Sequence, residues 1–191
     1  MNFKFSELVE TTKFQYVRIH KNANKSVMNC ILDTYKDDVY YTFGLSKKPR
    51  FCIIRDPYER FLSGLRYDLL INQVDIEDIN IDKLFMSNEN HLRNTINGRI
   101  NHCISQIPYI FNYQISHYID INNLSLFLKM HFSKSLHYNS FPEEHKKSKY
   151  YDIEKYLDKD EVMKYLHLDY SVYNHIKKSP FLWEWQHGKI F

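Results

Sequence analysis

Glycine is scarce in this chain, with four in 191 residues. None falls in a Gly-x-x-x-x-Gly-Lys-Ser/Thr pattern, which argues against an ordinary nucleoside-triphosphate loop. Cysteine is scarce too: Cys30, Cys52 and Cys103 are the only three. They are widely spaced and form no metal-ligand pattern, so no metal is expected. Cys30 and Cys52 lie in apolar runs and read as buried thiols of a reducing compartment. No apolar run approaches membrane-spanning length, and Met1–Glu10 carries no signal-peptide pattern. The expectation is a cytoplasmic protein with no membrane partner. Richness in Asn, Ile, Lys and Tyr hints at an AT-rich genome of bacterial or viral origin. Charge of one sign is also missing: 26 basic residues against 23 acidic give a net +3, too little to imply a nucleic-acid partner. Repeats and linkers are absent, so the chain reads as one domain over residues 1–191. At 43% hydrophobic and 16% aromatic it can bury a substantial core. Oligomeric state is not legible.

Two segments carry most of what is there. Phe14 to Ile19 alternates as a strand, and Val27, Met28, Ile31, Leu32 and Tyr35 recur at helical spacing. The turn between them holds His20, Lys21, Asn22, Ala23, Asn24, Lys25 and Ser26. Asn24-Lys25-Ser26 mimics a Walker ending, but Ile19 and Asn24 stand where its glycines belong. Lys21 is the candidate for a charge that reaches a ligand, and Ser26 opens the helix.

The second segment runs Phe51-Cys52-Ile53-Ile54 as a buried strand into Arg55-Asp56-Pro57-Tyr58-Glu59-Arg60-Phe61-Leu62-Ser63. Asp56 suits an N-cap, Pro57 the first helical position and Glu59 the capping-box position. Arg55 then sits beside the helix's free N–H groups, where an anion gains from the helix dipole and a forked guanidinium. Ser63 lies on the helix face shared by Asp56 and Glu59 and can add a hydroxyl. Two basic strand-to-helix turns suit a ligand with two separated anionic groups.

Together these segments resemble the cofactor motifs of sulfotransferases that use 3′-phosphoadenosine 5′-phosphosulfate (PAPS), most of all the carbohydrate O-sulfotransferases. Arg55 to Ser63 matches their Arg-Asp-Pro-aromatic-Glu-Arg-aliphatic-x-Ser motif almost throughout. The resemblance implies an α/β, P-loop-like three-layer fold with a central parallel sheet flanked by helices. It implies that Lys21 and Ser26, with Asn22, Ala23, Asn24 and Lys25 of the same turn, hold the 5′-phosphosulfate, and that Arg55 and Ser63 hold the 3′-phosphate. Where the family often has glycine and threonine in the first turn, this chain has Ala23, Asn24 and Lys25. Asn101 to Gln106 is similar to the family's His-x-x-x-Gln region, with Cys103 in place of the usual Trp. His117 to Leu124, Leu136 to Ser140 and Leu166 to Tyr173 carry weaker likenesses.

The implied reaction moves a sulfonate from PAPS to an acceptor hydroxyl in line, leaving PAP, with a glycan as the expected acceptor. Such transfer depends on positioning and charge neutralisation, and Lys21 can follow charge onto the bridging oxygen. A general base is expected near the hydroxyl. Among ten histidines, His102 matches the family's His region, and His20, beside Lys21, is the alternative. A nucleotide-dependent kinase of related fold and a non-catalytic nucleotide-binding homologue are the competing readings.

Elsewhere, Val39 to Phe43 reads as a short strand or extended connection and His117 to Ile121 as a strand. Pro57 to Ile71, His91 to Gly98, Ile104 to Asn112, Asn123 to Phe132, Glu154 to Leu157 and Asp160 to Lys177 read as helical. Asp75 to Asp82 is an acidic strip, Arg93 and Arg99 are candidates for an anionic acceptor, and Lys146, Lys147 and Lys149 mark a basic loop. The aromatic tail Phe181 to Trp185 is expected to pack back onto the domain; a dimer contact or a sugar-stacking surface are the alternatives.

Overall fold

The computed structural model describes residues 8–72, 102–103, 105–134 and 150–191. Strands β1 (Leu8–Glu10) and β2 (Gln15–Val17) form a hairpin. Helix α1 (Asn24–Tyr35) follows, then β3 (Tyr40–Thr42), β4 (Arg50–Ile54) and α2 (Pro57–Asn72). Beyond these come α3 (Ile107–Asn112), β5 (His117–Asp120), α4 (Leu124–Phe132), α5 (Lys159–Tyr165) and α6 (His167–Lys177). The chain divides into two compact units: residues 1–55, 106–138 and 172–191, and residues 56–105 and 139–171.

The first unit is α/β, built on a five-stranded sheet of order β3-β1-β2-β4-β5. It is mixed, which corrects the expected parallel sheet. β2, β4 and β5 run parallel, but β1 pairs antiparallel with both β2 and β3. β1 lies in a segment given no strand at the sequence level. Its hairpin is set by Thr11, whose hydroxyl accepts the N–H groups of Lys13 and Phe14, both at 3.2 Å.

Strand periodicity sorts the side chains of the parallel strands onto two faces. Tyr16, Phe51, Ile53 and Ile119 pack with Val27 and Ile31 of α1 and Phe127 of α4. Val17, Cys52, Ile54 and Tyr118 pack with Tyr109 and Ile110 of α3 and Ile176 of α6. The near-continuous apolar run Phe51–Ile54 follows from burial on both faces. The tail does pack back. Trp183 is 1% exposed, meets the Phe127 ring at 5.2 Å and donates its indole N–H to Gly188 O at 3.0 Å. The tail also pairs along β5, with Tyr118 N–H on Phe181 O at 2.9 Å and Trp183 N–H on Tyr118 O at 2.8 Å.

The second unit buries Phe61, Leu62, Leu65 and Leu69 of α2 against Ile153, Val162 and Leu166. The single helix expected over Asp160–Lys177 is broken at Leu166. Asp158 caps α5 by accepting the N–H groups of Asp160 and Glu161, and the His167 ring bonds Lys164 O at 2.9 Å in its last turn. The helix expected from Ile104 begins at Ile107, because Pro108 belongs in a first turn. The expectations for Asp75–Asp82, His91–Gly98, Arg93, Arg99, Leu136–Ser140 and Lys146–Lys149 lie outside the described residues.

Candidate functional site

The parallel strands of the first unit deliver two turns to their C-terminal edge, where open α/β sheets bind ligands. After β2 the chain passes through buried Ile19 and turns sharply, with Asn22 N–H on Ile19 O at 3.2 Å. Lys21 (φ 62) and Ala23 (φ 59, ψ 26) are both left-handed. Neither is glycine, so each costs about 1–2 kcal/mol that the surroundings must offset. The glycine conformation that this chain lacks in sequence is thus present in its backbone. A left-handed residue followed by a helical one turns successive N–H groups toward one concavity, a nest for an anion. Ala23 followed by Asn24 makes that arrangement, and Ala23, as the N-cap residue of α1, makes no side-chain capping bond.

A buried polar tie holds the turn. Asn22 is fully buried, and its Nδ2 donates to Ile53 O at 2.7 Å and to Gln106 Oε1 at 3.2 Å. Gln106 Nε2 donates onward to Arg55 O at 3.3 Å. The turn, the end of β4 and the start of α3 are thereby fixed to one another. Asn24 Oδ1 accepts the Tyr16 hydroxyl at 2.6 Å. Asn22 and Asn24 were expected to bind cofactor; their side chains serve the scaffold, and with Asn22 N–H taken by Ile19 O, what is left to a ligand is the main-chain N–H of Asn24. Lys21 and Ser26 are half-buried and Lys25 is exposed. His20 meets the Tyr109 ring edge-on at 6.4 Å.

Arg55 follows β4 and is half-buried. Its Nη1 lies 3.4 Å from Lys21 O, which brings a guanidinium to the left-handed turn. Nearby in register, Ile54 pairs with Asp120, whose buried carboxylate accepts Lys177 Nζ at 2.6 Å and the Tyr173 hydroxyl at 3.2 Å. Its negative charge is met locally.

The start of α2 differs from that of α1. Asp56 Oδ1 accepts the N–H groups of Tyr58 at 3.0 Å and Glu59 at 3.1 Å. The Tyr170 hydroxyl lies 3.1 Å from both carboxylate oxygens. Burial, with Asp56 alongside, pushes the Tyr170 phenol up to about 12. The cap is as the sequence predicts, but the expectation of free N–H groups at this helix start is corrected: the Asp56 carboxylate takes them. Of these two helix starts, the one whose N-cap residue makes no side-chain capping bond is that of α1.

The second unit holds Ser63 and His102. Ser63 is buried at 8% exposure on α2. His102 is clasped by Asp68 of the same helix, with Nδ1 to Oδ1 at 2.5 Å and main-chain N–H to Oδ2 at 3.0 Å. The Tyr67 ring packs edge-on against the imidazole at 4.7 Å. Gly64 makes room: a Cβ there would lie 2.4 Å from His102 O and 2.7 Å from Cys103 N. Cys103 is buried, and desolvation pushes its thiol up to about 12, so it offers no thiolate.

Asp68, Gly64 and Asp120 escaped the sequence reading. A signal existed for two of them: Asp68 interrupts the apolar stripe of Leu65 and Leu69, and an isolated glycine inside a helix usually marks a close approach. Among the described residues no group of three or more His, Cys, Asp or Glu is arranged to hold a metal, and no helix is long and apolar enough to cross a membrane. Comparison of the chain with family models, curated proteins and solved structures gives no match.

Proposed function

We propose that the chain is a sulfotransferase of P-loop-like fold that moves a sulfonate from PAPS to an acceptor hydroxyl, with a glycan as the expected acceptor class. The observation that carries this reading is the turn from Lys21 to Asn24. Two left-handed residues lead into a twelve-residue helix whose N-cap residue, Ala23, makes no side-chain capping bond, and Arg55 reaches back to that turn. This is an anion cradle made without glycine. The Arg55–Ser63 motif adds which anion: a nucleotide with a 3′-phosphate as well as a 5′-phosphosulfate.

Each residue then has a defined task. The N–H groups of Ala23, Asn24 and Lys25 and the Ser26 hydroxyl hold the 5′-phosphosulfate. Lys21 neutralises charge that builds on the bridging oxygen as the S–O bond breaks. Arg55 holds the 3′-phosphate, for which a planar forked donor is well suited. Ser63 keeps the same assignment on its motif alone. His102 likewise keeps its general-base assignment on its motif alone.

The test is release of PAP from PAPS, followed chromatographically, with polysaccharides, a tyrosine peptide and small alcohols as acceptors. The expected result is acceptor-dependent release that falls about 10²–10³-fold in Lys21→Ala, the usual effect of removing one transition-state donor. PAP binding without release for any acceptor would overturn the enzymatic reading and leave a nucleotide-binding homologue.

A further inference from the structure

We propose that Asp68 is a positioning residue that fixes His102 in the tautomer and orientation of a general base; its catalytic part rests on the sulfonate-transfer reading. Asp68 is fully buried, and its two oxygens are used differently. Oδ2 takes the His102 main-chain N–H at 3.0 Å and fixes where the residue sits. Oδ1 takes ring Nδ1 at 2.5 Å and fixes how the ring is turned. The Tyr67 ring, 72° from the imidazole plane, limits rotation from the side. Gly64 lets the 102–103 backbone lie against α2, so the clasp is built into the helix packing.

The chemistry follows from donor and acceptor roles. An ionised carboxylate only accepts, so Nδ1 must carry the proton, and the neutral ring keeps its lone pair on Nε2. The His102 side chain is 24% exposed, so the ring is not sealed within the unit. In the reaction the hydroxyl O–H bond breaks and its proton goes to Nε2. The oxygen forms a bond to sulfur, and the S–O bond to the 5′-phosphate breaks with its electron pair leaving on phosphate. The resulting imidazolium faces Asp68 across the Nδ1–H bond and then releases its proton to water.

Asp68→Asn tests this on both counts. The His102 main-chain N–H needs an acceptor, so the amide oxygen replaces Oδ2 and the amide NH₂ faces Nδ1. The ring must then become the Nε2–H tautomer, with its lone pair on the wrong nitrogen. The experiment is ¹⁵N NMR of the imidazoles in the full chain, at a pH where the ring is neutral, with His102 assigned through His102→Gln. The wild type is expected as Nδ1–H and Asp68→Asn as Nε2–H. Turnover is expected to fall about 10²–10⁴-fold in Asp68→Asn with PAP affinity unchanged. A wild-type ring protonated at Nε2 overturns the proposal whether or not the variant folds. A flipped tautomer with wild-type turnover also overturns it, because the clasp would then only staple backbone. If the wild type fails to bind PAP, the sulfonate-transfer reading falls, and the spectra alone decide whether Asp68 sets the tautomer.

Discussion

Gly64→Ala is the sharpest test of how α2 carries the His102 segment. A Cβ at this position would lie 2.4 Å from His102 O, 2.5 Å from its carbonyl carbon and 2.7 Å from Cys103 N. All three are backbone atoms, so no side-chain rotamer relieves the clash, and ordinary contact at 3.4 Å requires the segment to retreat by about 1 Å. That retreat stretches the 3.0 Å bond from His102 N–H to Asp68 beyond useful range. Helix propensity works the other way, since alanine gains about 0.5–1 kcal/mol over glycine inside a helix. Overpacking costs about 1–3 kcal/mol and a buried carboxylate left short of a donor about 1–3 more, so the net loss is about 3 kcal/mol. Urea unfolding is the assay. At a slope of about 2 kcal/mol per molar, the midpoint falls by about 1.5 M with the slope unchanged. A Gly64→Ala protein as stable as wild type, or stabilised by the propensity gain, would refute the close approach.

Asn22→Leu removes the donor shared by Ile53 O and Gln106 Oε1 and is expected to lower stability by about 1–3 kcal/mol in the same assay. With Gln106→Leu added, the loss should be clearly less than additive, because one tie is cut twice. Ala23→Gly is expected to be neutral or stabilising, whereas Ala23→Val, β-branched at φ 59, costs at least about 1–2 kcal/mol and weakens PAP binding measured by calorimetry. His131 is half-buried: its ring bonds Phe127 O at 3.0 Å and accepts Ile190 N–H at 2.9 Å. Burial holds it below the ordinary value of 6.5, so the unfolded chain binds the proton first. Its contribution is therefore complete above pH 6.5 and is lost as pH falls below it, with a slope of at most about 1.4 kcal/mol per pH unit, the limit for one proton. Urea midpoints between pH 7.5 and 5.5 read that slope, and His131→Leu should flatten it; an unchanged slope would refute the neutral, half-buried ring.

Local chemistry was legible in the sequence, and long-range pairing was not. The Asp56 cap, the β4 strand and the helical stripes of α1 and α4 follow from residue patterns within one turn or one strand. β1 did not, because a three-residue strand carries too little periodicity to announce itself. At the candidate site, the sequence placed basic residues in two strand-to-helix turns, where the structure has them, but misread the start of α2 as having free N–H groups. Asp56 was read as the N-cap, which it is, and by capping α2 it takes the N–H groups that an anion beside Arg55 was expected to use. Ala23 and Asn24 looked like defects in a glycine loop, yet the backbone takes the left-handed form at Lys21 and Ala23, with Asn22 anchored to Ile53 and Asn24 to Tyr16 on either side of Ala23 in the chain. Asp68 was hidden because its partner lies 34 residues away along the chain.

The central claim is a nucleotide site with PAP chemistry at the Lys21–Asn24 turn. Calorimetric titration of the full chain with PAP, with ATP as comparator and Arg55→Ala as control, tests it most directly. The account predicts PAP binding that far exceeds ATP binding and is lost in Arg55→Ala while the variant remains folded. A folded wild type that ignores PAP, or binds it equally well without Arg55, would contradict it.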